Sequence, residues 1–251
     1  MRRLFVPATQ WLDGRATIDG DAHRHLARVL RARAGDRVIL FDGHGREVDA
    51  EVVSVERDQT TLALRGAPRQ LDVAAGAHIV LLQSLARGDR MDWIVQKTTE
   101  LGVSAILPVA AGRSVARLDP QAAAPRRARW EKIAREAARQ CGRADVPIIR
   151  DPLPLARALE AAREEEPGGD AGERLALWEA SRGRSLRLAL SAGPRAVTLL
   201  VGPEGGFAAD EMAAAAAAGF EVVGLGPRIL RVETAAVVAV ALAQAAAGGL
   251  D

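Results

Sequence analysis

Three glycines lie close together in the stretch V-G-P-E-G-G-F, which begins at Val201 after an apolar segment. Glycine-rich turns between a strand and a helix often bind nucleotide phosphates, because their backbone N–H groups point at the anion. Neither common phosphate pattern, G-x-x-x-x-G-K-[ST] or G-x-G-x-x-G, matches this spacing, and the carboxylate of Glu204 would repel a phosphate. The turn therefore favours a nucleoside without phosphate, such as S-adenosylmethionine with its cationic sulfonium. A purely structural turn fits the residues equally well.

A second loop, L-G-P-R-I-L-R-V-E-T-A from Leu225 to Ala235, also joins a strand end to a helix start. Open α/β sheets bind ligands at the carboxyl ends of their strands, so the two loops are expected to form two walls of one site. Arg228 and Arg231 bring positive charge to this loop. Thr234 is predicted to cap the last helix, and Glu233 could simply interact with the dipole of that helix.

Residues for metal or covalent chemistry are sparse. The chain has no H-E-x-x-H or C-x-x-C pattern, and its four histidines all lie within the first 78 residues. The single cysteine, Cys141, excludes an internal disulfide, is typical of a reducing compartment and is predicted to be an inert core residue. We therefore expect no metal site.

Positive charge is concentrated in one region, although the net charge of the chain is only +2. Between Arg113 and Arg143, nine arginines and lysines stand against three acidic residues. Such an excess favours a polyanionic partner, and a solvated helix face is the alternative. A short helix predicted at 22–30 adds Arg24, Arg28 and Arg31 on one face, with His23 and His25 as residues of the helix surface.

The elements that must position these residues change in type along the chain. The first seventy residues read as β-rich, with strands predicted at 37–42, 48–56 and 60–64. After Pro68, strands and helices alternate, which predicts a parallel α/β sheet. The apolar run at the N-terminus is too short for a signal peptide, and the apolar run 235–247 is too short to span a bilayer. A cytoplasmic protein is expected.

Taken together and in order, several segments strongly resemble the SPOUT (trefoil-knot) methyltransferases. In particular, they resemble the family that methylates N3 of a uridine in small-subunit (16S) ribosomal RNA. The resemblance rests on V-G-P-E-G-G-F and L-G-P-R-I-L-R-V-E-T-A, supported by H-R-H-L-A-R-V-L-R, R-M-D-W-I-V-Q-K-T-T-E-L-G-V and G-R-S-V-A-R. It covers nearly the whole chain. Two departures are R-Q-C-G-R at 139–143, where the family commonly has E-Q-S-G-R, and the segment 164–174, which looks like a lineage-specific loop.

The resemblance implies a PUA-like β-barrel for RNA at 1–72 and a knotted α/β domain at 73–251, which forms a homodimer. It implies S-adenosyl-L-methionine as the cofactor, bound by three loops. The residues implied for cofactor binding are Trp178, Glu179, Val201, Gly202, Pro203, Gly205, Gly206, Leu225, Gly226, Ile229, Leu230 and Thr234. Those assigned to RNA binding are Arg2, Arg3, Arg24, Arg28, Arg31, Arg113 and Arg228. Arg231 is the candidate for stabilising a uridine anion, and Glu233 for accepting a proton or orienting Arg231.

Two other functions remain open from the sequence. One is ribose 2′-O-methylation by a member of the same superfamily. The other is a catalytically silent RNA-binding or ribosome assembly protein that has kept the fold. The intact pair Gly205 and Gly206 argues against loss of activity, since a silent protein would not need both glycines.

Overall fold

A computed structural model of the protein describes residues 2–71, 76–114, 120–167, 172–178 and 183–251. The chain divides into two compact units. The first comprises Met1–Val73 with Arg135–Val146, and the second comprises Ala74–Ala134 with Pro147–Asp251. The domain boundary predicted between residues 72 and 73 lies outside the described residues.

The first unit is a seven-stranded sheet in the order β1-β4-β5-β6-β3-β2, with β7 paired to β5. Its strands are β1 (Arg2–Phe5), β2 (Trp11–Leu12), β3 (Arg15–Ile18), β4 (Arg37–Phe41), β5 (Arg46–Val55), β6 (Thr60–Leu64) and β7 (Arg69–Gln70). Strands near both ends of this order share one core, in which Leu4 of β1 packs with Ile18 of β3 and Leu62 of β6. The sheet must therefore curl around that core, as expected for a PUA-like domain.

The predicted helix at 22–30 differs from an ordinary α-helix. Helix α1 (Gly20–Arg24) continues as a wider π-helix over His25–Val29, and Arg31 beyond it has a φ of +49°. The predicted common face of Arg24, Arg28 and Arg31 is therefore wrong, because that spacing holds only for 3.6 residues per turn. Cys141 is also exposed rather than in the core.

The second unit is built on a parallel sheet in the order β10-β9-β8-β13-β12-β14, with β11 paired to β9. Its strands are β8 (His78–Ser84), β9 (Ala105–Ala110), β10 (Ile148–Ile149), β11 (Leu153–Pro154), β12 (Glu173–Leu177), β13 (Ala196–Val201) and β14 (Glu221–Val223). The helices are α2 (Arg90–Glu100), α3 (Pro120–Cys141), α4 (Leu155–Ala161), α5 (Leu186–Ala189), α6 (Ala209–Ala217) and α7 (Val232–Ala246). Helix α3 begins in this unit and ends in the first.

The middle strands explain why the sequence predicts this sheet. β13 is buried along its whole length, as is typical of a parallel strand covered on both faces. Residues of α4 and α6 pack with alternate residues of β8 and β9 and with Leu200 of β13 in one core cluster, while α7 contacts α2, β8 and β13. The predicted α/β class is confirmed. Among the described residues, no helix has the length and apolar character needed to cross a membrane.

Candidate functional site

A pocket of about 540 Å³ lies in the second unit, at the carboxyl ends of β12, β13 and β14. These three strands are neighbours in the sheet, so the residues that follow them converge although they are far apart in sequence. The volume lies within the range of small-molecule sites. We call it the strand-end pocket. Its position is the one expected for a ligand site in an open α/β sheet.

The strand-end pocket gathers most of the residues that the sequence assigned to cofactor binding. Its lining includes Trp178, Val201, Gly202, Pro203, Gly205, Gly206, Leu225, Gly226, Ile229 and Leu230. Arg228 and Arg231, assigned to RNA and to chemistry, line it as well. Glu179 lies outside the described residues. Thr234 is exposed and is not part of the lining.

The three glycines of the glycine turn, residues 201–206, are explained by packing and backbone conformation within the protein. A Cβ on Gly202 would lie 3.1 Å from the ring of Phe207, and one on Gly205 would lie 3.2 Å from the Cβ of Arg113. Gly206 has a φ of +66°, which side chains rarely tolerate. Its N–H donates to the carbonyl oxygen of Pro203 at 2.9 Å. Packing against Phe207 and Arg113 and the backbone conformation of Gly206 therefore favour glycine at these three positions.

The charge of Glu204 is compensated within the protein. Its Oε1 accepts hydrogen bonds from the backbone N–H of Arg87 at 3.0 Å and from Nη1 of Arg90 at 2.8 Å. Burial alone would raise the pKa of Glu204. The hydrogen bonds from Arg87, from the backbone of Glu204 itself and from Arg90 outweigh burial and lower that pKa. The glutamate is therefore ionised at neutral pH without placing an uncompensated charge in the pocket.

The last loop, residues 225–231, exposes two arginines and one large apolar side chain. Ile229 is 86% exposed, and Arg228 and Arg231 are exposed as well. Neither arginine forms an ion pair with any of the residues that the structure describes. A guanidinium that keeps its charge at every physiological pH, unpaired at the rim of a pocket, can stabilise an anion there.

Two predictions about the start of the last helix are wrong. Helix α7 begins at Val232 with Arg231 at the N-cap position, so Thr234 lies inside the first turn and does not cap it. Glu233 does not pair with Arg231. Its Oε2 lies 3.9 Å from Nε of Arg90 and is buried without a hydrogen bond to any described residue. Because Glu233 does not line the pocket, it is poorly placed to accept a proton from a ligand bound there.

The arginines assigned to RNA binding have different surroundings. Arg113 is exposed beside the glycine turn, with Nη1 3.3 Å from the carbonyl oxygen of Gly205. In the first unit, Arg2 pairs with Asp36 and Arg24 with Asp21, both at exposed positions. Arg28 and Arg31 are exposed. These five arginines can still reach a polyanion.

Arg3 and His23 are instead structural. Arg3 is largely buried, donates to Glu47 and to the carbonyl oxygen of Arg143, and lies over the ring of Phe41. His23 is buried, with Nδ1 2.9 Å from the hydroxyl of Thr60. The short strand β1 places Arg3 inside the unit, which is why its type alone misled the prediction.

The basic segment 113–143 is less positive than its composition suggests. Along α3, Arg127 pairs with Glu131 and Asp151, Arg129 with Asp92, and Arg139 with Glu136. These partners come partly from other segments, so a count of charges within one window overstates the free charge. Arg117 lies outside the described residues.

The sequence did not point to Arg90, Leu177 or Gly224 among the lining residues, whereas Glu204, Val232 and Ala235 lie inside the two predicted loops. Arg90 begins α2, six residues after the end of β8, the strand that pairs with β13. In the sequence, Arg90 could be recognised only as a residue that closely follows the end of a predicted strand. The order of the strands in the sheet is what brings the end of β8 beside the glycine turn. Within the described residues, no cluster of three or more His, Cys, Asp or Glu side chains could hold a metal ion.

Comparison with known proteins gives a consistent result. Residues 74–244 match the family described as RNA methyltransferase domain, and residues 18–64 match the RNA methyltransferase PUA domain. The chain is 34% identical to the ribosomal RNA small subunit methyltransferase E of Bacillus subtilis, over 94% of this chain and 93% of that one. It is 36% identical to the protein of the same name from Mycobacterium bovis, over 89% and 84%.

A solved structure resembles it over the same extent. The ribosomal RNA small subunit methyltransferase E of Neisseria gonorrhoeae, bound to S-adenosyl methionine, superposes with a TM-score of 0.82 at 34% identity. That likeness covers 98% of this chain and 97% of the other.

Proposed function

The chain belongs to the ribosomal RNA small subunit methyltransferase E family, and from this premise we propose that it methylates N3 of a specific uridine in small-subunit 16S ribosomal RNA, with S-adenosyl-L-methionine as cofactor. Its fold class is that of the SPOUT methyltransferases, a parallel-sheet α/β domain preceded by a PUA-like domain. The observation that carries the proposal is the strand-end pocket with Arg231 at its rim, where this arginine has no ion pair with a described residue. A ribosomal substrate would place the protein in the cytoplasm.

The residues of the strand-end pocket fit the cofactor. The pocket combines apolar side chains, among them Leu177, Trp178 and Val201, with the backbone polar groups of three loops. Apolar walls suit an adenine ring, and backbone N–H and C=O groups can recognise its edge. Because Arg90 compensates the charge of Glu204, this carboxylate is not an isolated anion in the pocket. We assign Trp178, the glycine turn and the last loop to binding, and Glu179 stays a prediction.

Methylation of a uridine at N3 requires that the uridine anion be stabilised. When bound, S-adenosyl-L-methionine supplies an activated methyl group. N3 of a uridine carries an imide proton, so this nitrogen becomes a good nucleophile only when the proton leaves. Arg231 can stabilise the resulting negative charge because its guanidinium is always protonated. The rigid loops can hold the uridine in line with the methyl group. The residue that takes the proton is not assigned.

RNA binding is proposed for the exposed arginines. Arg113 and Arg228 lie at the glycine turn and the last loop, where they can hold phosphates close to the pocket. Arg2, Arg24, Arg28 and Arg31 are proposed to contact RNA from the first unit, in which we propose that residues 1–72 form the PUA-like RNA-binding domain. Arg3 is left out of this set because its guanidinium is buried and paired.

A homodimer is proposed from the surface of α7. The helix is apolar on every side, yet Val237, Val238 and Leu242 are only partly buried. A helix that is hydrophobic all round belongs in an interior, and a second copy of the chain would supply the missing cover. Sedimentation analysis should give a dimer, and Val238→Glu should shift the protein toward a monomer.

Mass spectrometry of nucleosides from ribosomal RNA tests the function directly. Cells lacking the gene should lose N3-methyluridine from small-subunit RNA, and the wild-type gene should restore it. The Arg231→Ala gene should restore little. Loss of a 2′-O-methylated nucleoside would instead establish the ribose methyltransferase, and an unchanged set of nucleosides would establish a silent RNA-binding protein.

A further inference from the structure

Arg90 stands between two carboxylates on segments that line the strand-end pocket, the glycine turn and the first turn of α7. Its Nη1 donates to Glu204 in the glycine turn at 2.8 Å, and its Nε lies 3.9 Å from Oε2 of Glu233 in the first turn of α7. The two glutamates are far apart in sequence, and the side chain of Arg90 lies between them. Arg90 itself begins α2 and lines the pocket.

The three side chains are partly buried, so their charges are less screened by solvent than charges on the open surface. Glu204 and Glu233 are about a fifth exposed, and Arg90 is somewhat more than a third exposed. Oε2 of Glu233 is buried and has no hydrogen bond to a described residue, so Arg90 is the cation nearest to it among the ion pairs of the described chain. Without Arg90, Glu204 would keep the hydrogen bond from the backbone N–H of Arg87, but the two partly buried carboxylates would have no cation between them, which favours their separation.

We infer that Arg90 is a positioning residue that holds the glycine turn against the first turn of α7, so that both walls of the cofactor pocket are in place before the cofactor binds. This inference rests on the function proposed above. It assigns Glu204 to the protein side of the site: the carboxylate orients the glycine turn through Arg90 and Arg87, rather than binding the cationic end of the cofactor.

The competing explanation makes opposite predictions. If Glu204 bound the cofactor's positive charge directly, removing Arg90 would free the carboxylate and strengthen cofactor binding. The benefit would also be larger for S-adenosylmethionine, which carries a sulfonium, than for S-adenosylhomocysteine, which has a neutral thioether. A positioning role predicts weaker binding, by the same factor for both compounds, because the walls are displaced whatever the charge of the ligand.

The experiment is calorimetry of both compounds with the full-length wild type and with Arg90→Gln, Glu204→Gln and the double variant. Each single variant should bind both compounds about tenfold more weakly, as for loss of a charge-assisted hydrogen bond. The double variant should be little weaker than either single one, because both remove the same contact. Arg157→Gln, which breaks an exposed ion pair with Glu160 on α4, is the matched control and should bind as the wild type does.

Hydrogen exchange of the free proteins supplies a second readout. Exchange at residues 202–206 should rise in Arg90→Gln and stay unchanged in the control. Wild-type affinity in either folded single variant, or tighter binding of S-adenosylmethionine by Arg90→Gln, would overturn the inference. If the wild type itself binds neither compound, the proposed function fails instead, so the two failures are distinguishable.

Discussion

The side chain of Arg113 lies against Gly205: Nη1 of Arg113 donates to the carbonyl oxygen of Gly205 at 3.3 Å, and the Cβ of Arg113 is 3.2 Å from the position that a Cβ on Gly205 would take. A residue assigned to RNA thus touches the turn assigned to the cofactor. The contact is exposed and long, so it contributes little to stability. We therefore interpret Arg113 as a phosphate-binding residue placed beside the methyl-transfer site.

Replacing Arg113 by Ala should weaken RNA binding and leave cofactor affinity within about twofold. On single-stranded RNA, the slope of log affinity against log salt should become shallower by about 0.7 for the lost phosphate contact. Filter binding over a salt series measures this, and Arg157→Ala is the control. Weaker cofactor binding with an unchanged salt slope would assign Arg113 to the glycine turn instead.

Gly206→Val should abolish binding of S-adenosylmethionine measured by calorimetry. Its φ of +66° costs a β-branched residue about 1–2 kcal/mol or more, and the turn at the pocket wall would have to change. Gly35→Val is the matched control. Gly35 also has a positive φ, with open space around it in the first unit, so this variant should lose stability but keep cofactor affinity. Unchanged affinity in folded Gly206→Val would remove the turn from the site.

Arg231→Ala should reduce the single-turnover methylation rate about a hundredfold or more, as loss of an anion-stabilising donor does in other enzymes. Cofactor affinity should change little. The wild-type rate should rise with pH until the uridine is ionised in the complex, and the variant should need a higher pH for the same rise. Arg231→Lys, which keeps a positive charge, should recover part of the rate. A normal rate with an unshifted pH profile would show that Arg231 only contacts phosphate.

Replacing Arg24, Arg28 and Arg31 by Ala together should weaken RNA binding and make its salt dependence shallower, without changing cofactor affinity. Arg3→Ala should behave differently. Because Arg3 is buried and paired with Glu47, its loss should lower the thermal midpoint more than it changes the salt slope. An RNA affinity that is unaffected by the triple substitution would indicate a structural role for those three arginines.

The stability of the second unit should fall at acidic pH through Glu166. Hydrogen bonds from Arg174, at 2.6 and 2.8 Å, lower the pKa of Glu166 below its ordinary value of 4.5, against the effect of burial. A lowered pKa means that the folded state favours the ionised form, so the stabilisation is present above pH 4.5 and is lost as pH falls through the folded-state value.

Denaturation at neutral pH should show Glu166→Gln to be less stable by about 1–2 kcal/mol. This difference should shrink toward pH 3. Glu160→Gln, at an exposed ion pair with Arg157, should match the wild type throughout. A gap between Glu166→Gln and wild type that stays constant with pH would contradict the assignment of this pKa.

The sequence alone determined the change from a β-rich start to a parallel α/β sheet, because local patterns report it: strand 60–64 has the predicted bounds, and the buried strand 196–201 belongs to the parallel sheet that the alternation of strands and helices predicts. It also identified the glycine turn and the last loop, since loops that follow parallel strands carry ligand sites. Local pattern could not show that His25–Val29 is a π-helix or that Arg3 is buried. Hydrogen-bond spacing and side-chain environment depend on what packs against a segment.

Only the tertiary structure decided which charges meet. Arg90, Glu204 and Glu233 lie on three segments that the order of β8, β13, β12 and β14 brings to one edge of the sheet. Within its own segment of the sequence, Glu204 is an isolated negative charge, and Glu233 is a residue near a helix end. The energy of an ion pair depends on the distance between its charges. Distances between remote segments are set by the strand order and by the packing of α7 against β8 and β13.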